Sequence, residues 1–426
     1  MALLGGALVA FYILLPLDRG FPAVPVLGRP LSAAACATLV VFALLVMLSG
    51  GRILVHLRRR YCVLQSVYFG VLIVASLRAD APLVSLHLSL VYYCTFVLNY
   101  VILLYVARRD GPGRLGNVIA VAGLAAAAVG VLQGVFAIHI TAYEGWYASY
   151  FQTEAENASD AWFRAAGTLN NPILYGMAMM LLVPYALDVR RVWMRVAIMT
   201  ALAVAAALTG SRTVLLVGLI FLAGAVRVYR WRVLWGVALF TVGMAVAVGL
   251  FGGLNAVTGD PRLRFLGARL GLVEGQSTVY AQVNTAYRRE ALRQGLREIM
   301  SDWSPVTWAM GRGQLTAASV GEKVAMRYNT VDNVFFGVFY EKGFVGLVLF
   351  LMAFGVLLRQ TWCAERRTMH WYAPLALLVS GVAFSFDAYS TFNILAVGSM
   401  AIATVIAEGS RRSAARVLKR VAPDQK

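Results

Sequence analysis

Asn329-Thr330-Val331-Asp332-Asn333, an aromatic run, and then Glu341-Lys342-Gly343-Phe344-Val345-Gly346 close the one long polar interruption (residues 255–346) of an otherwise apolar chain. On either side the sequence divides into apolar runs of roughly 17–25 residues, the length at which a helix satisfies its own backbone across hydrocarbon. The interruption decides the fold. It predicts an all-α polytopic membrane protein of about twelve transmembrane helices, with a large extracytoplasmic helical loop between spans nine and ten. Residues 1–254 carry spans one to nine, 255–333 the loop, and 334–426 spans ten to twelve with a basic tail.

Composition agrees. A hydrophobic fraction of 60%, a charged fraction of 14% and a mean hydropathy of +0.72 exclude an ordinary soluble domain. The net charge of +18 raises the question of a nucleic-acid partner. Its distribution answers it: most of the excess sits in short basic connections between apolar runs, where it encodes orientation. The expected surroundings are a lipid bilayer, and no nucleic acid is expected. Cys36, Cys62, Cys94 and Cys363 show neither disulfide nor metal-ligand spacing, and with four His no zinc constellation is visible. Neither a metal nor a cofactor is expected. No Arg or Lys precedes the first apolar run, so it reads as a span and not as a removed signal peptide.

The expected spans are 3–17, 31–50, 61–77, 83–107, 118–140, 173–187, 196–208, 213–226, 233–254, a tenth ending at Leu358, 374–386 and 394–407. A Pro-rich linker with Pro22, Pro25 and Pro30 joins the first two. The basic segments at 52–60, 108–114, 190–195, 227–232, 359–370 and after 407 all follow even-numbered spans and share one face. The positive-inside rule makes that face, and both termini, cytoplasmic. The long loop and a smaller polar insert (141–172) then lie on the opposite face. Tyr143, Trp146, Tyr147 and Tyr150 of the insert suit an interface belt.

Within the loop, residues 287–300 read as an amphipathic helix. Leu292, Leu296, Ile299 and Met300 form its apolar stripe, while Arg289, Arg293 and Arg297 stack at i, i+4, i+8. A surface helix, packed on the protein or resting on headgroups, is the first explanation of that arginine row. Arg288 faces elsewhere. Arg164 and Arg212 each lie beside an extracytoplasmic helix end, flanked by small or polar residues. Either alone is explained by snorkelling to headgroups. Together with Arg288 they put three guanidinium forks on one face, which suits bidentate binding of a pyrophosphate. Asn329 or Thr330 is positioned to cap a helix beginning near Asp332, whose N-terminus favours an anion. Glu341 and Lys342 stand in apolar surroundings, where charges are costly and mark function, or neutralise each other at a break near Gly343. Such a break separates a short interfacial helix from the span that follows.

These pieces resemble the superfamily of O-antigen ligases and Wzy-type O-antigen or exopolysaccharide polymerases. Thr209-Gly210-Ser211-Arg212-Thr213 looks like its Ser-Arg signature, and Met310-Gly311-Arg312-Gly313 like the glycine pair of its periplasmic loop. Val331-Asp332-Asn333 with Glu341-Lys342-Gly343-Phe344-Val345-Gly346 looks like the motif closing that loop. Phe163-Arg164-Ala165-Ala166-Gly167-Thr168 with Asn171-Pro172 fits the first arginine site. The similarity covers roughly residues 160–360. Ligases usually carry His-Asn where this chain has Asp332-Asn333, and an acidic residue there is similar to polymerase members.

The resemblance implies a GT-C-like fold in the bacterial inner membrane with a periplasmic active face. It implies metal-independent, inverting transfer of glycan from undecaprenyl diphosphate to a sugar hydroxyl. Arg164, Arg212 and Arg288 would bind the pyrophosphate, Asp332 would be the catalytic base, and Asn333 and Glu341 would support it. The implied partners are an undecaprenyl-diphosphate-linked oligosaccharide, the growing glycan or an acceptor glycolipid, and a separate chain-length regulator. Two rivals stand beside the polymerase. One is a ligase acting on a lipid A–core or protein acceptor. The other is a transporter of lipid-linked sugars, for which polar groups at mid-bilayer and internal repeats are the expected signs. No clear repeat is visible, although His87, Asn99 and Glu341 keep transport open.

Overall fold

Apolar runs that must satisfy their own backbone become helices, and helices dominate the computed structural model. It describes residues 1–14, 25–26, 29–30, 33–79, 81–136, 167, 169, 172–209, 211–229, 276–313, 333–362, 368–383 and 391–421. In chain order the helices are α1 (Ala2–Leu14), α2 (Ala33–Leu48), α3 (Arg60–Leu77), α4 (Pro82–Tyr93), α5 (Asn99–Asp110) and α6 (Pro112–Phe136). Next come α7 (Pro172–Leu181), α8 (Val183–Leu187), α9 (Val192–Ala207), α10 (Arg212–Tyr229) and α11 (Gln276–Asp302). α12 (Pro305–Met310), α13 (Val334–Trp362), α14 (Tyr372–Ala383) and α15 (Thr391–Val421) complete the α-helices of the described residues. The expected Pro-rich linker contributes a two-residue ladder, Pro25–Val26 antiparallel to Arg29–Pro30.

The helix boundaries follow local chemistry. Pro82 and Pro112 open α4 and α6, where a missing N–H costs nothing, and Pro184 separates α8 from α7. Gly50 and Gly51, both at positive φ, turn the chain from α2 into a 3-10 helix (Arg52–Arg58) bent 118° from it. α4 runs into α5 through a π-helical stretch, Cys94–Leu98.

Among the described residues, four helical segments are long and apolar enough to cross a membrane: Arg60–Leu77, Pro82–Asp110, Pro112–Gln133 and Val334–Arg359. The bent α2 pair makes a fifth if it is one span. They coincide with expected spans three, four, five, ten and two. The shorter apolar helices Ala2–Leu14, Ile173–Leu187, Val192–Ala207, Leu216–Val228, Met369–Val379 and Asn393–Gly409 fall on spans one, six, seven, eight, eleven and twelve. Expected span nine, the insert with Tyr143 and Trp146, and Cys363 lie outside the described residues.

One core runs through the bundle. α3 packs between α4 and α13, α5 lies on α15, α1 and α9 flank α6, and α7 contacts α9, α10 and α15. Polar side chains pin the helices where lipid offers no competing partner. Tyr12, Thr38 and Asn99 close a buried ring of hydrogen bonds between α1, α2 and α5, with distances of 2.9–3.1 Å. Arg59 and Arg108 both clamp Glu408 of α15. His370, fully buried, bridges Asp188 (2.9 Å) and Ser399 (3.1 Å).

Candidate functional site

The loop-closing motif forms the first half of α13. Asn333 caps it: its side-chain oxygen accepts from the Phe336 N–H at 2.9 Å and its carbonyl from the Gly337 N–H. This corrects the expectation of a cap at Asn329 or Thr330, since the helix begins at Val334. Two faces of this half-helix are buried. Val334 and Val338 pack into the bundle core, while Phe336 and Tyr340 join Ala291, Ile299 and Trp303 in a second, smaller one.

That second core is where α11 docks, on a face that shares only half of the expected stripe. Ile299 is buried in it and Leu292 packs against it, whereas Met300 is 84% and Leu296 45% exposed. The buried positions are Ala291, Gly295, Glu298 and Ile299. Gly295 is there because a Cβ would stand 2.3 Å from the Phe336 ring, and Glu298 because it has polar partners. Arg289, Arg293 and Arg297 are exposed, with Arg293 and Arg297 3.6 Å from Glu290, so the arginine row belongs to a surface helix.

The expected break at Gly343 is present and has a partner. Gly343 (φ 68, ψ −171) interrupts α13, and Gly311, with φ 73 and ψ −171, ends α12. The two meet. A Cβ on Gly343 would lie 2.3 Å from the Ala309 carbonyl oxygen, and one on Gly311 would lie 2.3 Å from the backbone of Glu341 and Lys342. Backbone hydrogen bonds seal the dock: Arg312 N–H to the Tyr340 carbonyl (3.1 Å) and Gly313 N–H to that of Glu341 (2.8 Å). Gly313 also abuts Ala75 and Ala79 at the end of α3. Arg78 reaches the Val306 carbonyl and the Thr307 hydroxyl of α12. Lys342, buried, donates to Glu341 at 2.9 Å, the mutual neutralisation anticipated for that pair.

Above the dock a charged triad ties three segments together. The Tyr340 hydroxyl donates to Glu298 at 2.6 Å, and Arg312 donates to the Tyr340 hydroxyl at 3.2 Å and stands 3.5 Å from Glu298. Glu298 is 6% exposed. Removing the phenol leaves a buried carboxylate short of a donor, a loss of about 1–3 kcal/mol. Tyr340→Phe should therefore lower the thermal unfolding midpoint in detergent, and protease should cut within α11 sooner. An unchanged midpoint and cleavage pattern would show the triad to be idle. Glu298 and Tyr340 were not singled out from the sequence. The available signal was an acidic residue one turn from Gly295, facing away from the arginine row.

The arginine motifs occupy other helices. The Gln133 side chain clasps Gly167, accepting its N–H at 2.7 Å and donating to its carbonyl at 3.0 Å. Tyr175 of α7 fills the space beside Gly167 and donates to the Ala126 carbonyl of α6. Gly176 lets α7 approach Thr209 and Val214, so the start of α10 at Arg212 lies against α7. Gly167 and the start of α10 thus both lie against α7. Arg164 and Asp332 lie outside the described residues, and so do the side chains of Arg212 on α10 and Arg288 on α11. No three of the described His, Cys, Asp and Glu side chains converge to hold a metal ion.

No protein-family model matches the chain. A search of curated proteins likewise returns no significant match.

Proposed function

We propose that the protein is a bacterial inner-membrane glycosyltransferase of about twelve spans. In this reading it polymerises undecaprenyl-diphosphate-linked oligosaccharide units into O-antigen or exopolysaccharide on the periplasmic face. The observation that carries the reading is the Gly311–Gly343 dock. Two short motifs named for their resemblance to this superfamily, thirty residues apart, meet backbone to backbone. The residues before Asn333 then lead into the N-terminus of α13, whose unpaired N–H groups favour an anion.

The chemistry is a single displacement. The acceptor hydroxyl oxygen bonds to the anomeric carbon as the bond from that carbon to the phosphate oxygen breaks, with inversion. Arg164, Arg212 and Arg288 stabilise the charge growing on the leaving pyrophosphate. Asp332 accepts the hydroxyl proton. A carboxylate is too weak a base to ionise a sugar hydroxyl beforehand, so proton transfer accompanies donor cleavage. Asn333 supports the site by capping α13, and Glu341 by holding Lys342 at the kink.

A ligase delivering glycan to a lipid A–core or protein acceptor uses the same parts. A transporter of lipid-linked sugar draws support from the polar side chains buried in the bundle, such as Tyr12, Thr38 and Asn99. Purified protein, a synthetic undecaprenyl-diphosphate oligosaccharide and gel analysis distinguish them. A length ladder on the lipid pyrophosphate supports the polymerase. Transfer to an added core acceptor alone supports the ligase, and the absence of any transfer overturns the enzymatic reading.

A further inference from the structure

The face of α11 turned away from its dock carries two kinds of side chain at once. At about 3.6 residues per turn, Arg289, Arg293, Leu296, Arg297 and Met300 fall within about 100° of one another, opposite Ala291, Gly295, Glu298 and Ile299. All five are exposed. The helix that follows continues the pattern. No residue of α12 is buried, and its Val306 and Trp308 are exposed.

Attachments fix the level of this surface. α12 follows α11 directly through Trp303 and Ser304, and it seats on the kink of α13 and the last turn of α3. There Gly313 abuts Ala75 and Ala79, and Arg78 reaches the Val306 carbonyl. Arg60–Leu77 is long and apolar enough to cross a membrane, so its end marks the depth at which hydrocarbon gives way to headgroups. Leu77 at that end and Phe344, directly after the kink, are exposed as well. Large exposed side chains, a tryptophan among them, belong at that boundary.

A solvated face accounts for the arginines but not for Leu296 and Met300 between them. A protein partner accounts for the apolar pair, yet the centre of such an interface is poor in charge. A phospholipid surface accounts for both, because it offers acyl chains beneath a layer of phosphates. The charge balance selects the kind of phospholipid. Among the described residues the row has one acidic partner, Glu290, 3.6 Å from Arg293 and from Arg297, and Arg289 has none. The excess is positive.

We propose that α11 and α12 form an interfacial element that binds anionic phospholipid. Leu296, Met300, Val306 and Trp308 enter the outer edge of the acyl region. Arg289, Arg293 and Arg297 lay their stems along these residues and set their guanidinium groups against the headgroup phosphates. The opposite face of α11 packs on Phe336 and Tyr340, so bound lipid also positions the first half of α13.

The test attaches an environment-sensitive nitrobenzoxadiazole label to the full chain through Met300→Cys, in nanodiscs of phosphatidylcholine with or without phosphatidylglycerol. The signal of the chain without the added cysteine is subtracted. With phosphatidylglycerol present, the emission should shift to the blue and be quenched by nitroxide-labelled lipid. High salt should reverse most of the shift, because headgroup contacts at a surface are screened. Arg289→Gln, Arg293→Gln and Arg297→Gln together should reverse it at low salt, with an unfolding midpoint in detergent close to wild type. If that triple variant does not fold, the salt series on the labelled chain decides alone. Emission typical of water in both kinds of disc overturns the proposal. A blue shift that nitroxide lipid does not quench overturns it in favour of a protein partner. A quenched label indifferent to phosphatidylglycerol, salt and the arginines overturns the anionic-lipid assignment. No lipid-linked sugar is present, so the outcome is independent of the transferase reading.

Discussion

Gly343→Ala is expected to break the dock between α12 and α13, with a large drop in thermal unfolding midpoint and, under the proposed function, loss of glycan transfer. The backbone there, φ 68 and ψ −171, lies in a region essentially reserved for glycine, and forcing another residue into it costs about 1–3 kcal/mol. Steric cost comes on top. The new Cβ would sit 2.3 Å from the Ala309 carbonyl oxygen and 2.4 Å from its carbon, both main-chain atoms that no rotamer change can move. Relieving the clash pulls α12 away and lengthens the Arg312–Tyr340 and Gly313–Glu341 backbone bonds. Gly311→Ala meets the same obstacle from the other side and should match it. Gly337→Ala is the control: it lies in the same helix with nothing within 4 Å of its Cβ position, and should leave the midpoint unchanged or slightly raised. Equal midpoints for Gly343→Ala and Gly337→Ala would show that the paired glycines are incidental.

Asp332→Asn carries the other large expected effect, on rate and not on stability. If the carboxylate takes the acceptor proton, its amide cannot, and turnover should fall by about 10²–10⁴-fold. Asn333 supplies the cap of α13, so the substitution next to it leaves the helix start intact and the unfolding midpoint close to wild type. Loss of turnover with an unchanged midpoint identifies chemistry. Loss of both identifies a structural acid, and full turnover removes Asp332 from the mechanism.

Much of the helical scaffold was legible in the residues themselves. The apolar runs at 61–77 and 83–107 became Arg60–Leu77 and Pro82–Asp110, because both length and hydropathy are local properties. The break at Gly343 was legible for the same reason: a glycine directly after Glu341 and Lys342, inside an apolar run, leaves few alternatives. The docking face of α11 was legible only in part. Counting apolar residues selects Leu292, Leu296, Ile299 and Met300, of which Leu292 and Ile299 pack, yet the interface also needs the missing side chain of Gly295 and the carboxylate of Glu298. Those choices make sense only beside Phe336, Tyr340 and Arg312.

The sequence by itself determined where most of the described helices form and where the polar segment rejoins them, since a backbone in hydrocarbon is satisfied within its own helix. Only the tertiary structure decided that Gly311 seats on Gly343, that Glu298 is buried rather than solvated, and that Tyr340 and Arg312 meet it there. Each of those depends on a partner far away in the chain: a close approach, a hydrogen bond or an ion pair has no periodicity to read until both sides are in place.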